Sequence, residues 1–428
     1  MLFAAIALTG LSSVRQDGYA SQSAAERSPQ SLPAANARWS TEAVTRLRNH
    51  QELAYATLGK RMGLGSDPTV VYRALTRDRM PAEWISPEKF REALGKKVPR
   101  ETLQGTPEAA IIQYLAKYGN VQPPTPYEDP NLYAVLLEMS DSIEAAWTSR
   151  GFAKPPGVLL GTLPTGTLKA QALRLPGEKE YIVIFERGLF DFCFHMSKIA
   201  AVVFPPIDPI RGSFSEEVNV ERGVEAHPEI LGELNRVLHA YLVLGDPRRI
   251  QSYKIDSSRT MTAAALLRSM QLFVLGHEHG HFLVRHGGDN LGPPPASRDP
   301  AIRDKWNVEY GADRVGLSMM YAVTGHLVLS FWGAVNLLVC MEVFERCQSI
   351  LATGAFDPTA TSPTHPPNLT RGRQLRAVIR EDRPGEETEK AITLANQLDS
   401  FWARTWQIAE PHWLAMHKQG VRPSMIWS

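Results

Sequence analysis

The chain has 428 residues, enough for two or three domains and at least one large core. Its 43% hydrophobic and 21% charged residues make a globular composition, and 46 basic against 45 acidic side chains exclude a net field that would draw it to nucleic acid. Three cysteines, Cys193, Cys340 and Cys347, show no CxxC spacing, which argues against a disulfide framework or a cysteine-built zinc site.

Residues 1–38 read as a disordered lead-in or a possible signal segment. "MLFAAIALTGLSS" has the length of a signal core and "YASQSAA" offers small residues for cleavage, but the first basic side chain is Arg15. The expected location is cytoplasmic, with export as the alternative if residues 1–25 act as a signal. Residues 39–150 read as a helical N-terminal region. Its first helix is capped by Ser40 or Thr41 and stopped by Gly63. "TPEAAIIQYLAKYG" and "NLYAVLLEMSDSIEAAWTSRG" are two more, joined by the Pro-rich "VQPPTPYEDP".

The texture changes near residue 151. "GVLLGTLPTGTLKAQAL" and "KEYIVIFERG" read as strands and turns, with Tyr181, Ile182, Val183, Ile184 and Phe185 the strongest strand. A helix over "LFDFCFHMSKIAAVVF" ends at Pro205 and Pro206, and the stretch from Val203 to Ser257 reads as an insertion over a cleft. A long helix spans 256–286, ended by Gly287, and a second runs from Trp306 to Val323, ended by Gly325. His326 to Phe344 approaches the length of a membrane span. Ser330, Gly333, Asn336 and Glu342 interrupt it, so a buried core helix and no membrane are expected. "SPTHPPNLTRGRQL" is a loop entering a helix, and residues 381–428 form a C-terminal helical extension. There, Trp402 and Trp406 one turn apart indicate core packing rather than a groove wall.

The chemistry concentrates in "LGHEHGHFLVRHGG". His277, Glu278 and His281 form H-E-x-x-H, which on a helix sets two imidazoles one turn apart on one face. They can share a tetrahedral zinc, with Glu278 close enough to take a proton from its water. His279 faces away and His286 lies too far along. A catalytic zinc needs a third protein ligand and an open position. On the next helix, Glu309 can supply the ligand, and Asp313, one turn later, can accept a hydrogen bond from a zinc histidine and set its tautomer.

His277-Glu278-x-x-His281 followed by Glu309-x-x-x-Asp313 resembles the gluzincin zinc peptidases, and most of all the branch of CaaX prenyl proteases and HtpX-type peptidases. That branch carries a further His-Pro loop with an arginine six residues after the histidine, matched here by His365-Pro366 and Arg371. The resemblance spans about residues 175 to 375. It implies that His365 and Arg371 face the zinc and stabilise the oxyanion, and that a strand beside the active helix binds peptide by edge pairing. Tyr181–Phe185 is the candidate for that strand; a central strand is the equal alternative.

The resemblance thus implies an α+β, mainly helical fold, with a zincin-like catalytic domain over 151–380 and a small sheet beside the active-site helix. The expected function is zinc-dependent hydrolysis of protein or peptide amide bonds. The alternative is a gluzincin fold that binds or regulates a partner around a structural zinc. Substrate specificity and oligomeric state are not legible.

Overall fold

The computed structural model describes residues 39–76, 117–118, 121–149, 157–175, 180–208, 213–214, 220–250, 253–287, 300–357 and 364–426. The lead-in 1–38 and most of the helix expected over 106–119 lie outside them. The chain divides into two compact units, Met1–Thr165 with Lys169–Arg187, and Gly166–Leu168 with Gly188–Ser428.

In the first unit, helices α1 (Thr41–Arg61), α2 (Pro68–Thr76) and α3 (Pro130–Ser149) accompany strands β1 (Gly157–Leu163), β2 (Ala170–Arg174) and β3 (Glu180–Glu186). The Ser40 hydroxyl caps α1 by accepting from the Ala43 amide at 3.2 Å. Ala43 and Leu47 of α1 pack on Leu159, Leu163, Ile182 and Ile184 of the sheet. Gly161 allows this approach, because a Cβ there would lie 2.4 Å from Leu47 Cδ1.

β3 lies between β1, paired parallel, and β2, paired antiparallel. Both edges of Tyr181, Ile182, Val183, Ile184 and Phe185 are therefore used, so no peptide can add to this strand. Their side chains are buried on both faces, which is why the segment reads as a continuous apolar run.

Beneath the sheet's β1 lies a buried carboxylate. Glu128 accepts from Thr162 N and Oγ1 (both 2.6 Å), Gln51 Nε2 (2.6 Å) and Thr125 Oγ1 (3.1 Å). Burial lifts its pKa to about 7 against the pull of these donors. The next residue, Asp129, caps α3 through the amides of Asn131 and Leu132, and binds Arg187 Nη1 at 2.5 Å.

The second unit holds α4 (Arg187–Val203), the strand pair β4 (Ile207–Asp208) and β5 (Ser213–Phe214), α5 (Val220–Ala226), α6 (Glu229–Leu242), α7 (Ser257–Gly287), α8 (Pro300–Thr324), α9 (Leu327–Thr353), α10 (Asn368–Asp382) and α11 (Glu386–Lys418). By length and composition α9 could cross a membrane, but 78% of its apolar window is buried inside the protein. Its polar Asn336 accepts from Trp402 Nε1 of α11 at 3.0 Å and sets its amide 3.2 Å from Met270 Sδ of α7. An interior partner thus satisfies a side chain that would be costly in lipid.

The division into two units and the start of α8 differ from the sequence reading. The sheet belongs to the unit that holds the N-terminal helices, and residues 381–428 belong to the unit that holds 188–380. α8 begins at Pro300, six residues before Trp306, with proline in the first turn where its missing N–H costs nothing. α11 continues through Pro411 to Lys418. Beyond the proline it is anchored by buried Trp413, which donates to Asn235 Oδ1 at 3.0 Å, and by His417 Nδ1, 3.0 Å from Leu351 O. Within the stretch 204–256, α6 buries Ile230, Leu234, Val237 and Leu238, as a core helix does.

Glu128→Ala would leave Thr162 N and Oγ1 without their buried acceptor, while Gln51 Nε2 keeps Thr162 O and Thr125 Oγ1 keeps Gln51 Oε1. Each orphaned group costs about 1–3 kcal/mol, so a loss of at least about 2 kcal/mol is expected in urea unfolding followed by circular dichroism.

Candidate metal centre

α7 and α8 meet through small residues. A Cβ on Gly276 would lie 3.0 Å from Gly316 Cα, and one on Gly280 only 2.7 Å from Ala312 Cα. In return, a Cβ on Gly316 would lie 2.8 Å from His277 N. Gly276 and Gly280 stand one turn apart on α7, as Ala312 and Gly316 do on α8, so backbone packs directly on backbone.

This approach sets Glu309 and Asp313 against the histidines. The His277 and His281 rings are 4.6 Å apart and nearly perpendicular, at 84°. Glu309 Oε2 lies 3.4 Å from His277 Nε2, and Glu309 Oε1 lies 3.5 Å from His281 Nε2. Ligand atoms about 2.0–2.2 Å from one tetrahedral zinc stand about 3.3–3.6 Å apart, so this donor set fits such an ion. Glu309 Oε2 is buried without a hydrogen bond, its approach to His277 being an ion-pair contact only. A cation would satisfy it.

Glu278 also belongs to the cluster, since donor atoms of His277, Glu278 and His281 lie within 4.8 Å of one another. Among the described residues this is the one such group found. Glu309 is the better-spaced candidate for a third ligand, because its oxygens lie 3.4 and 3.5 Å from the two imidazole Nε2 atoms. His279 turns away, its Nδ1 donating to Leu275 O at 2.7 Å. The His286 side chain lies outside the described residues.

Behind the ligands, Asp313 Oδ1 is 2.8 Å from His277 Nδ1. Arg371 grips the same carboxylate, Nε to Oδ2 at 2.9 Å and Nη2 to Oδ1 at 2.6 Å. Its Nη2 approaches His277 from the Nδ1 side, at 3.4 Å. His365 is half exposed, with Nε2 3.6 Å from Glu309 Oε1. The structure thus brings His277, Glu278, His281, Glu309, Asp313, His365 and Arg371 to one centre, with Arg371 on the Nδ1 side of His277. Tyr181–Phe185 belong to the other unit.

The electrostatics follow from burial and pairing. Burial opposes a charge on His277, but the Asp313 and Glu309 carboxylates beside it outweigh burial and raise the pKa to about 10. Burial likewise pushes the Glu309 carboxyl up, but His277, His281 and Arg371 bring it down to about 2. Asp313 is held far below the usual carboxylate range by Arg371 and His277. Burial lowers His365.

The sequence reading named the candidate ligands but missed Gly276, Gly280, Ala312 and Gly316. Their signal was legible: small residues four apart on each of the two helices that carry the motif. Compared with protein families, with curated proteins and with solved structures, the chain matches none. The gluzincin resemblance therefore rests on these residues alone.

Gly280→Ala would drive α8 off α7, because the clash is with backbone. Zinc affinity, read by competition with a chromophoric chelator, is expected to fall by roughly tenfold or more, as when a ligand's support is lost.

The raised His277 pKa gives a second expectation. Without metal, the His277 proton stabilises the fold fully below about pH 6.5, and that contribution is lost as pH rises through about 10. An ion at Nε2 must displace this proton. Zinc binding at pH 7–9 should release about one proton from His277, and affinity should rise by up to about tenfold per pH unit. Calorimetry in buffers of different ionisation enthalpy measures this; no proton release would contradict it.

Proposed function

We propose that the second unit is a zinc-dependent metallopeptidase that hydrolyses amide bonds of proteins or peptides. The observation that carries this reading is Glu309, whose two oxygens sit 3.4 and 3.5 Å from the Nε2 atoms of His277 and His281. His277, His281 and Glu309 would hold the ion and leave a position open. A zinc there supplies a Lewis acid that acidifies water and polarises a carbonyl.

The chain's own residues divide the remaining work. Glu278 follows His277 in the helix and is not required as a ligand. Its carboxylate takes the proton of the attacking water and passes it to the leaving amine. Asp313 accepts the His277 Nδ1–H, which leaves the Nε2 lone pair for the ion. His365, accessible at the rim and 3.6 Å from Glu309, is placed to donate to the oxyanion. A site with a purely structural ion has no use for a base at position 278.

Glu278→Gln separates the two uses of the centre. It should bind zinc as the wild type does and lose roughly 10²–10⁴-fold in hydrolysis of a labelled unfolded protein such as casein. Undiminished hydrolysis would remove Glu278 from the mechanism. A zinc-loaded wild type that cleaves nothing across a peptide library would favour the structural-zinc, partner-binding alternative.

A further inference from the structure

We propose that Arg371 is a positioning residue of the metal centre: it holds Asp313, and through Asp313 it aims His277 Nε2, and it does not donate to the oxyanion. This inference rests on the metallopeptidase reading above and departs from the role that the motif resemblance implies for the arginine.

An oxyanion donor must point at the place where charge develops, on the open side of the ion. Imidazole Nδ1 and Nε2 lie on different sides of the ring. Arg371 approaches His277 from the Nδ1 side, at 3.4 Å, while the ligand oxygens gather at Nε2. Nε and Nη2 of Arg371 are engaged in a fork on Asp313, at 2.9 and 2.6 Å. This is the bidentate arrangement for which a guanidinium is shaped and an ammonium is not.

The consequence runs through Asp313, which is 1% exposed. Its carboxylate takes the Arg371 fork and lies 2.8 Å from His277 Nδ1, so one side chain links the guanidinium to the imidazole. His277 is then fixed in ring orientation and tautomer.

Arg371 also belongs to the first turn of α10, its amide donating to Pro367 O at 3.0 Å. The same ion pair therefore ties α8 to the turn that follows the His365-Pro366 loop. A second pair, Arg314 Nε to Asp382 Oδ2 at 3.1 Å, joins α8 to the far end of α10. It touches no residue of the centre and so provides a comparator.

The test uses the full chain as wild type, Arg371→Gln, Asp313→Asn, the double variant and Arg314→Gln. Two readouts do not depend on turnover: the zinc dissociation constant by chelator competition, and the visible absorption of the cobalt(II)-loaded protein. Arg371→Gln should weaken zinc by roughly 10–100-fold, the usual effect of losing an outer partner, and alter the cobalt spectrum. The double variant should bind zinc about as Asp313→Asn does, because both changes break one chain of contacts. Arg314→Gln should match the wild type.

If Arg371→Gln does not fold, Arg371→Lys replaces it and should weaken zinc to an intermediate degree. Wild-type zinc affinity and cobalt spectrum in the Arg371 variant, with hydrolysis lowered by roughly 10²–10³-fold, would overturn the proposal in favour of oxyanion donation. Additive losses in the double variant, or an equal loss in Arg314→Gln, would also overturn it. A wild type that takes up neither ion would sink the metallopeptidase reading itself, a result distinct from all of these.

Discussion

The centre depends on two helices meeting backbone to backbone. α7 and α8 can do so because Gly276, Gly280, Ala312 and Gly316 fill the seam between them. A carboxylate reaches only a few ångströms from its helix, so a larger residue at the seam would move Glu309 out of range of the imidazoles. With the small residues in place, one glutamate touches two histidines and one aspartate reaches behind the first of them. Both helices are long, and the same seam continues in Gly311 against Val284, so the rigidity of paired helices is passed to the side chains.

That proximity assembles a costly set of groups. His277, Glu309, Asp313 and Arg371 are all largely buried, and each alone would suffer a desolvation penalty of several kcal/mol. Together they form an alternating array in which every charge faces an opposite one. Glu309 Oε2, 3.4 Å from His277 Nε2, is buried without a hydrogen bond. A core assembled for stability alone would gain more from apolar residues of similar size. On the metallopeptidase reading proposed above, a cation would compete with the His277 proton for Nε2.

Much of this was legible in the sequence because it depends on short spacings. An i, i+4 pair of histidines shares a helix face whatever surrounds it, and so does an i, i+4 pair of carboxylates. Helix ends at Ser40, Gly63 and Gly325 follow local rules that the fold obeys. The scattered polar residues of His326–Phe344 need partners, and Asn336 has them in Trp402 and Met270.

Other features depended on what lay across from a residue. Tyr181–Phe185 is recognisably a strand, but only pairing with β1 on one side and β2 on the other makes it central. Pro411 is a sound reason to end a helix, yet the burial of Trp413 carries α11 past it. Arg371 lies at the spacing of an oxyanion donor, and only the packing of α10 beside α8 turns its fork onto Asp313. The sequence by itself determined which residues could share a helix face, and hence the two halves of the candidate metal site, because 3.6 residues per turn is a local constraint. The tertiary structure decided which halves meet, at what distance and with which partners behind them, because those depend on long-range packing that no short spacing encodes.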